Sequence, residues 1–459
     1  MIIGITIRTA IVAVVTLAGI TPLMADDAKF RVAPFSADVT IPIGHRCMGI
    51  LPTKSKSVLD PLYAHGFVLT GSGKPIVFVA VDWCEIRNDA YDFWRDTLAS
   101  AVETTRERVL VASVHQHDAP VVDLTAQQLL DEANLKKELC DPAFHNAVVS
   151  RVADAAKNAV NSTNHQFITH IGIGQAKVNQ VASNRRVVHP NGSVKYNRYS
   201  RSGGSPFHSK APEGLIDPWL KIISFWHHDK QIAALSSYAV HPMSFYGRGT
   251  ISADFVGLAR KQFHDLDPTI TQIYASGCAG DVTAGKYNNG SQKSREVLTE
   301  RMFDAMKRAT ADTKKHPIET IAFRSTHLRL EFHEGAEFKR EALTRQLKDT
   351  KASMSQRILA AMSLSSRMRL QRQPIDLPCI DLGVAQIVLF PGETFVGYQL
   401  MTQALRPDSF IMCIGYGECW PGYIPTKAAF DEQFGHDWRW VAPGSEARMM
   451  DAVKRVLTK

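Results

Sequence analysis

The sequence predicts an α/β protein, a mixed β-sheet core with surrounding helices. Three observations carry this. Short β-branched runs alternate with helical patterns along most of the chain, which argues against a sandwich or a bundle. The composition, 45% hydrophobic and 21% charged over 459 residues, is that of a globular chain long enough for one large domain or two modest ones. Beyond the N-terminus, no stretch reaches the roughly 18 unbroken apolar residues that a membrane span needs.

The N-terminal segment carries one early cation, Arg8, and then the apolar run Thr9–Ala25 ending in Leu-Met-Ala. This pattern predicts a secretory signal peptide over residues 1–25 and an exported mature chain, periplasmic or secreted, over 26–459. An uncleaved N-terminal anchor is the alternative. The formal charge of +8 falls to +7 once Arg8 leaves. So mild an excess predicts no nucleic-acid partner; it suits a solvated basic surface or peripheral contact with lipid headgroups. Seven cysteines are scattered without a Cys-x-x-Cys pair, which excludes a zinc ribbon and a thioredoxin-like motif. Export permits disulfides, but the odd count leaves at least one thiol unpaired.

In chain order, strands are expected at Ile76–Asp82, Val109–Val114, Phe167–Gly172, Lys221–Trp226, Ile232–Val240, Gln272–Ser276, Ile321–Glu331 and Ile380–Phe390. Asp141 followed by Pro142 signals a helix start, and Phe144, Val148, Val152 and Ala156 then recur every four residues. Leu298, Met302, Ala305 and Ala309 predict a second helix after the polar stretch 288–291. Residues 184–212, rich in Asn, Arg, Ser, Gly and His, predict a long surface excursion suited to a lid. Residues 337–372 are helical in pattern and basic, expected to form a solvated face, with a membrane-binding surface as the alternative. No internal repeat is evident, and nothing in the sequence fixes an oligomeric state.

Several familiar motifs are absent or false. Gly71-Ser-Gly-Lys74 lacks the spacing of a phosphate loop, is followed by Pro75, and reads as a hairpin turn. Gly172-Ile-Gly174 lacks the third glycine of a dinucleotide fingerprint. There is neither a His-Glu-x-x-His nor a Gly-x-Ser-x-Gly, so a metal site has to be assembled from distant segments.

Four strand ends supply candidates. In SVHQHDAP, residues 113–120, His115 and His117 follow the strand Val109–Val114, and two residues apart on extended backbone their side chains share one face. The strand Ile232–Val240 ends in His241-Pro242, where proline stops the strand and leaves the histidine at its mouth. The next segment, ISADFVGLAR, starts a helix with Ser252 as a cap and Asp254 in the first turn. VLFPGETF, residues 388–395, breaks a strand with Pro-Gly just before Glu393, and a carboxylate delivered there needs a cation or donors to stay ionised. YASGCAGDVTAG, residues 274–285, runs into a small-residue turn carrying Asp281 and Thr283. Each taken singly is also readable as a surface or satisfied core residue; together they make a coherent metal-hydrolase constellation.

The order of FSADVTIPIG (35–44), DPLYAHGFVL (60–69), SVHQHDAP, ASNRRV (182–187), AVHPMS (239–244), ISADFVG (251–257), GCAGDVT (277–283), LFPGETF (389–395) and GYIPTKAAF (422–430) resembles the neutral/alkaline (non-lysosomal) ceramidase family over nearly the whole mature chain. The resemblance implies a single large catalytic domain and, from the short remainder after the last motif, no C-terminal immunoglobulin-like domain. It implies one Zn²⁺ per chain, held by His115, His241, Glu393 and Tyr423. It also implies a general base or hydrogen-bond role for His117, oxyanion stabilisation by Arg185 with Tyr423, and a catalytic role for Thr283. The implied reaction is hydrolysis of the N-acyl amide of ceramide or a ceramide-like lipid to a fatty acid and a sphingoid base. Two departures touch the substrate side: Thr283 stands where the family has serine, and Asp118-Ala119 where it has Ser-Gly. Another N-acyl amide or an ester is therefore the alternative substrate, and a non-catalytic ligand-binding protein on the same fold a further alternative. A long apolar channel beside the metal would favour acyl lipids; a shallow polar cleft would not.

Overall fold

Strands buried on both faces read as unbroken apolar runs, and Ile76–Val81, with all six residues buried, is such a strand. The computed structural model describes Met1 and residues 29–48, 53–163 and 165–458, so the expected signal peptide lies outside the described residues. Three sheets organise the rest. The first has the spatial order Val109–Ser113, Ile76–Val81, Tyr63–Thr70, Phe30–Asp38, Gln166–Ile168. The second runs Thr271–Ser276, Lys230–Tyr238, Trp219–His227, His170–Lys177, Lys314–Pro317. The third is Ala322–Leu328, Ile375–Asp381, Ala385–Leu389, Phe410–Ile414. The architecture is the mixed-sheet α/β class that the sequence predicts.

One pattern occurs three times. A hairpin is followed by a helix and then by a strand parallel to the hairpin's second arm. The helices are Asn88–Ala101, Asp254–His264 and Val396–Leu405, and the parallel pairs are Ile76–Val81 with Val109–Ser113, Lys230–Tyr238 with Thr271–Ser276, and Ala385–Leu389 with Phe410–Ile414. Two parallel strands end at the same edge of a sheet, so each unit presents two carboxyl ends together. The three edges are joined: Ser113 N–H donates to Tyr416 O at 2.9 Å, Gly415 N–H to Ser276 O at 2.9 Å, and Ser276 Oγ to Val114 O at 2.8 Å. Six strand ends consequently open onto one place.

The sheets share an inner core. Phe67, Phe78 and Leu110 of the first sheet, Phe225 and Leu235 of the second, and Ile380, Ile387 and Met412 of the third belong to one buried cluster, with the Phe67 and Phe225 rings 5.0 Å apart. Full burial of side chains this large contributes roughly 1.5–3 kcal/mol each. Outside, Asn88–Ala101 and Pro142–Val160 cover the first sheet, Asp254–His264 and Gln292–Ala311 the second, and Ser445–Leu457 the third.

Local signals worked where they were strong. Asp141 caps Pro142–Val160 by accepting from Ala143 N–H at 3.0 Å, and Val148, Val152 and Ala156 are buried on that helix. Leu298, Met302, Ala305 and Ala309 are buried on Gln292–Ala311. The turn at Gly71–Lys74 joins two antiparallel strands as a hairpin.

Other expectations need correction. Ile380–Phe390 is two strands, because Gly383 takes φ +80° and its N–H donates to Asp381 Oδ1 at 2.9 Å, folding the run back on itself. Phe167–Gly172 divides at Thr169 between the first and second sheets. Strands Phe30–Asp38 and Tyr63–Thr70 were not expected as strands. Residues 337–372 form helices Arg340–Lys348 and Met354–Arg372, but the second is no solvated face: Arg357 and Arg369 are buried along with its apolar residues. Residues 184–212 form a short hairpin and a short helix. That excursion is pinned by Arg198, fully buried, whose guanidinium donates to the carbonyls of Asn184, Pro212 and Glu213 at 2.8–2.9 Å. All seven cysteines are free and buried. No described helix is long and apolar enough to cross a membrane.

Candidate active site

Every candidate but Arg185, which comes after Ser183–Asn184, follows one of the converging strands. His115 lies two residues beyond Ser113 in left-handed backbone, φ +73°. A residue other than glycine there costs of order 1–3 kcal/mol and persists only where its surroundings enforce it. Here its N–H donates to Trp83 O at 2.9 Å and its Nδ1 to Cys84 O at 2.8 Å. Tyr416, two residues beyond Ile414, takes φ +58° and stacks on the His115 ring at 4.2 Å. The ring is fixed on both counts, with Nε2 turned to the site.

His241, fully buried, donates from Nδ1 to Ala279 O at 2.6 Å, which leaves Nε2 2.8 Å from Glu393 Oε2. His115 Nε2 is 3.5 Å from the same oxygen. Glu393 and Tyr423 face each other as register partners in a small parallel bridge. That bridge depends on Gly392 and Gly422, at φ +51° and +60°, where a side chain on Gly422 would collide with Trp438 O. Tyr423 Oη accepts from Arg185 Nη1 at 2.9 Å, and the Arg185 guanidinium lies 5.2 Å from the Tyr423 ring centre.

The ligand atoms of His115, His241 and Glu393 lie within 4.8 Å of one another and are buried, a set that could hold a metal ion. A second such group, Cys84, His115 and His117, shares one member. The chemistry of the first set fits a divalent ion: two imidazoles with Nδ1 already committed to carbonyls, and one carboxylate. His115 Nε2 has no hydrogen-bond partner among the described residues, and neither has either nitrogen of His117 or Arg185 Nε, all buried. A buried polar atom so left calls for an explanation such as an ion or ligand.

Electrostatics agree with this. Burial opposes the charge on Glu393, yet His115 and His241 hold its carboxyl well below the usual range. Burial lowers His241 to about 4, helped by the Arg185 charge. Burial, then His115 and His241, holds His117 well below the ordinary histidine value.

The site opens into a cavity of about 270 Å³, which His241, fully buried behind Glu393, does not line. His115, His117, Arg185, Glu393 and Tyr423 all reach it; Thr283 does not. Thr283 pairs by its backbone with His241, and its hydroxyl accepts from Gly285 N–H at 3.0 Å. Gly280 of the same small-residue turn packs against the Glu393 carbonyl, so that turn approaches the protein's own backbone.

Sequence reasoning missed several cavity residues. Cys84 and Glu85 follow Ile76–Val81 as His115 follows its own strand, and the same signal could have found them. Tyr246, His436 and Trp438 come from loops without periodicity and carried no signal.

No protein-family model matches the chain, and no curated protein matches it in sequence. Two solved structures are similar over most of its length. The neutral ceramidase from Pseudomonas aeruginosa aligns with a TM-score of 0.70 and 16% identity, covering 95% of this chain and 76% of that one. A ceramidase complexed with C2 aligns with a TM-score of 0.68 and 15% identity, covering 93% and 74%. The chain therefore has the fold seen in the neutral ceramidase of Pseudomonas aeruginosa.

Proposed function

We propose that this protein hydrolyses an N-acyl amide bond, with a ceramide-like lipid as the first substrate to test, using one zinc ion held by His115, His241, Glu393 and Tyr423. The observation that carries it is the buried His115–His241–Glu393 set, with an unpartnered His115 Nε2 among the described residues, on a fold shared with ceramidases. The ion supplies Lewis acidity, favouring ionisation of water and polarisation of a carbonyl near neutral pH.

The chain's own groups do the rest. Cys84 O and Ala279 O fix the tautomer of His115 and His241, so that each offers Nε2. His117, with neither nitrogen bonded to a described residue, takes the proton of the attacking water and returns it to the leaving amine as the C–N bond breaks. Arg185 supports the tetrahedral oxyanion, and through its bond to Tyr423 Oη it holds the phenol in place. Thr283 contributes through the backbone of His241. Export follows from the sequence of residues 1–25 and is part of the same proposal.

The test is metal analysis of the purified protein together with hydrolysis of a short-chain fluorescent ceramide, for wild type and His115→Ala. One zinc per chain with turnover, both lost in the variant, supports the proposal. Zinc without turnover on any acyl amide would leave a metal-binding protein and end the amidase proposal. No metal bound, even with zinc supplied, ends it altogether.

A further inference from the structure

We infer that Cys84 and His117 form a second metal site beside the proposed zinc, and that a thiophilic divalent ion bound there stops hydrolysis by occupying the base. The effect on rate rests on the zinc amidase proposed above; the binding does not. One ligand atom from each of Cys84, His115 and His117 lies within 4.8 Å of the others, and all three residues are buried. His115 is the member shared with the His241–Glu393 set, and its ring is committed there. Its Nδ1 donates to Cys84 O at 2.8 Å, and its Nε2 lies 3.5 Å from Glu393 Oε2. The Cys84 thiol, 3.9 Å from that Nδ1, and the His117 ring are left over as a pair.

Two observations say that the pair faces a ligand. His117 is 4% exposed and neither of its nitrogens has a partner among the described residues, a desolvation cost that a bound ion would offset. Cys84 and His117 both line the cavity, and among the described residues no other cysteine does. Glu85, next in the chain, is not free to be a third ligand, because its oxygens accept from Arg87 Nη1 at 2.8 Å and from Trp438 Nε1 at 2.9 Å. Water from the cavity completes the shell.

The donor types sort the two places. His115, His241 and Glu393 offer nitrogen and oxygen, whereas a thiolate with an imidazole favours softer ions, zinc in excess or cadmium. Binding is an exchange of a proton for a metal ion: the thiol proton leaves to solvent, the sulfur keeps the electron pair and gives it to the ion, and nothing is oxidised. The ion also takes the single lone pair of neutral His117, the one that accepts a proton from the attacking water in the proposed reaction. A first ion does not forbid the second, since two-metal hydrolases hold theirs roughly 3.5–4 Å apart.

The experiment titrates cadmium into the zinc-loaded full chain, following the ultraviolet thiolate-to-cadmium band, the zinc retained and the hydrolysis of a short-chain fluorescent ceramide. Expected is one equivalent of cadmium with the band, zinc retained, and hydrolysis lost in step and restored by a dithiol chelator. X-ray absorption at the cadmium edge should show one sulfur neighbour, a readout that needs no variant. Cys84→Ser keeps the backbone carbonyl that fixes His115. It should lose the band and raise the cadmium needed for half-inhibition by more than roughly 100-fold, the upper figure for losing an outer-shell partner alone. Cys84→Ala repeats the test if the serine variant lacks native circular dichroism. Cys419→Ser should keep both effects, because that thiol turns to Gly417 O at 3.1 Å and lies off the cavity. A band that survives in folded Cys84→Ser, or cadmium that displaces zinc and has no sulfur neighbour, overturns the site. A band with hydrolysis unchanged or raised overturns the inhibition. If the chain neither holds zinc nor hydrolyses ceramide, the amidase proposal falls, and the band and the sulfur neighbour still decide this one.

Discussion

Two buried polar clusters meet at Glu85, and they keep opposite accounts of their hydrogen bonds. On one side Arg87, with no exposed surface, spends its guanidinium on Glu85 Oε2, Cys419 O and Ser366 Oγ, each at 2.8 Å, and on Asp123 at 3.4 Å. Its charge also faces the Trp440 ring at 4.3 Å. On the other side His115, His117 and Arg185 are as deeply buried, yet nitrogen atoms of all three lack a partner among the described residues. Burial and charge alone do not separate structure from function here; the concentration of unspent nitrogens at one place does, since elsewhere such atoms are scattered, Asn88 Oδ1 beside Asp123 among them. A satisfied network fixes the fold, and an unsatisfied one at the mouths of several strands is where a ligand completes the accounting.

The sharpest way to break the comparison is to remove one member of each cluster. His115→Ala should abolish bound metal and lower hydrolysis by more than the roughly 100-fold typical of losing an outer-shell partner, while thermal unfolding of the metal-free protein changes little; metal analysis and rates check it. Arg87→Ala should do the reverse. It strands Glu85 and Asp123 in the interior, and denaturant unfolding should show a loss of about 3–5 kcal/mol.

A subtler contrast lies at Asp118, next to His117. Burial, reinforced by Asp254 and opposed by the bond from Gly247, pushes its carboxyl from 3.8 up to about 7. Folding therefore favours the protonated form. The stability it contributes is full below pH ~4 and is lost as pH rises through about 7, a swing of a few kcal/mol at about 1.4 kcal/mol per pKa unit. Asp118→Asn keeps an acceptor for Gly247 N–H and should flatten that part of the pH–stability curve, so that the variant gains on the wild type between pH 5 and 8. Equal curves for the two proteins would remove Asp118 from the account. The smallest effect is expected far from both clusters. Asp141→Ala deletes the cap of Pro142–Val160 and should cost ~1 kcal/mol, read by unfolding, with metal content and hydrolysis unchanged.

Legibility followed the range of the interactions. The helix starts at Asp141 and Gln292, the hairpin at Gly71–Lys74 and the apolar strand Ile76–Val81 were readable because their determinants lie within a few residues. His115, His117, His241 and Glu393 were readable because each directly follows a strand with a strong pattern. The turn at Gly383 was missed because Asp381 and Gly383 interrupt an apolar run too briefly to register. Residues 337–372 misled because nine basic residues look solvated until Arg369 meets Asp92 and Glu418, which lie far away in the chain.

By itself the sequence determined the class of fold, the strands whose ends bear the candidate residues, and the kinds of side chain offered there, since hydrophobic period, capping and turn chemistry are local. Only the tertiary structure decided that a hairpin–helix–strand unit is repeated three times without visible repetition of sequence, that its parallel edges bring six strand ends to one place, and that Thr283 serves His241 while Tyr246 and Trp438 wall the cavity. Those outcomes depend on which sheets share a core and which carbonyls meet which donors across hundreds of residues, and no local pattern encodes that.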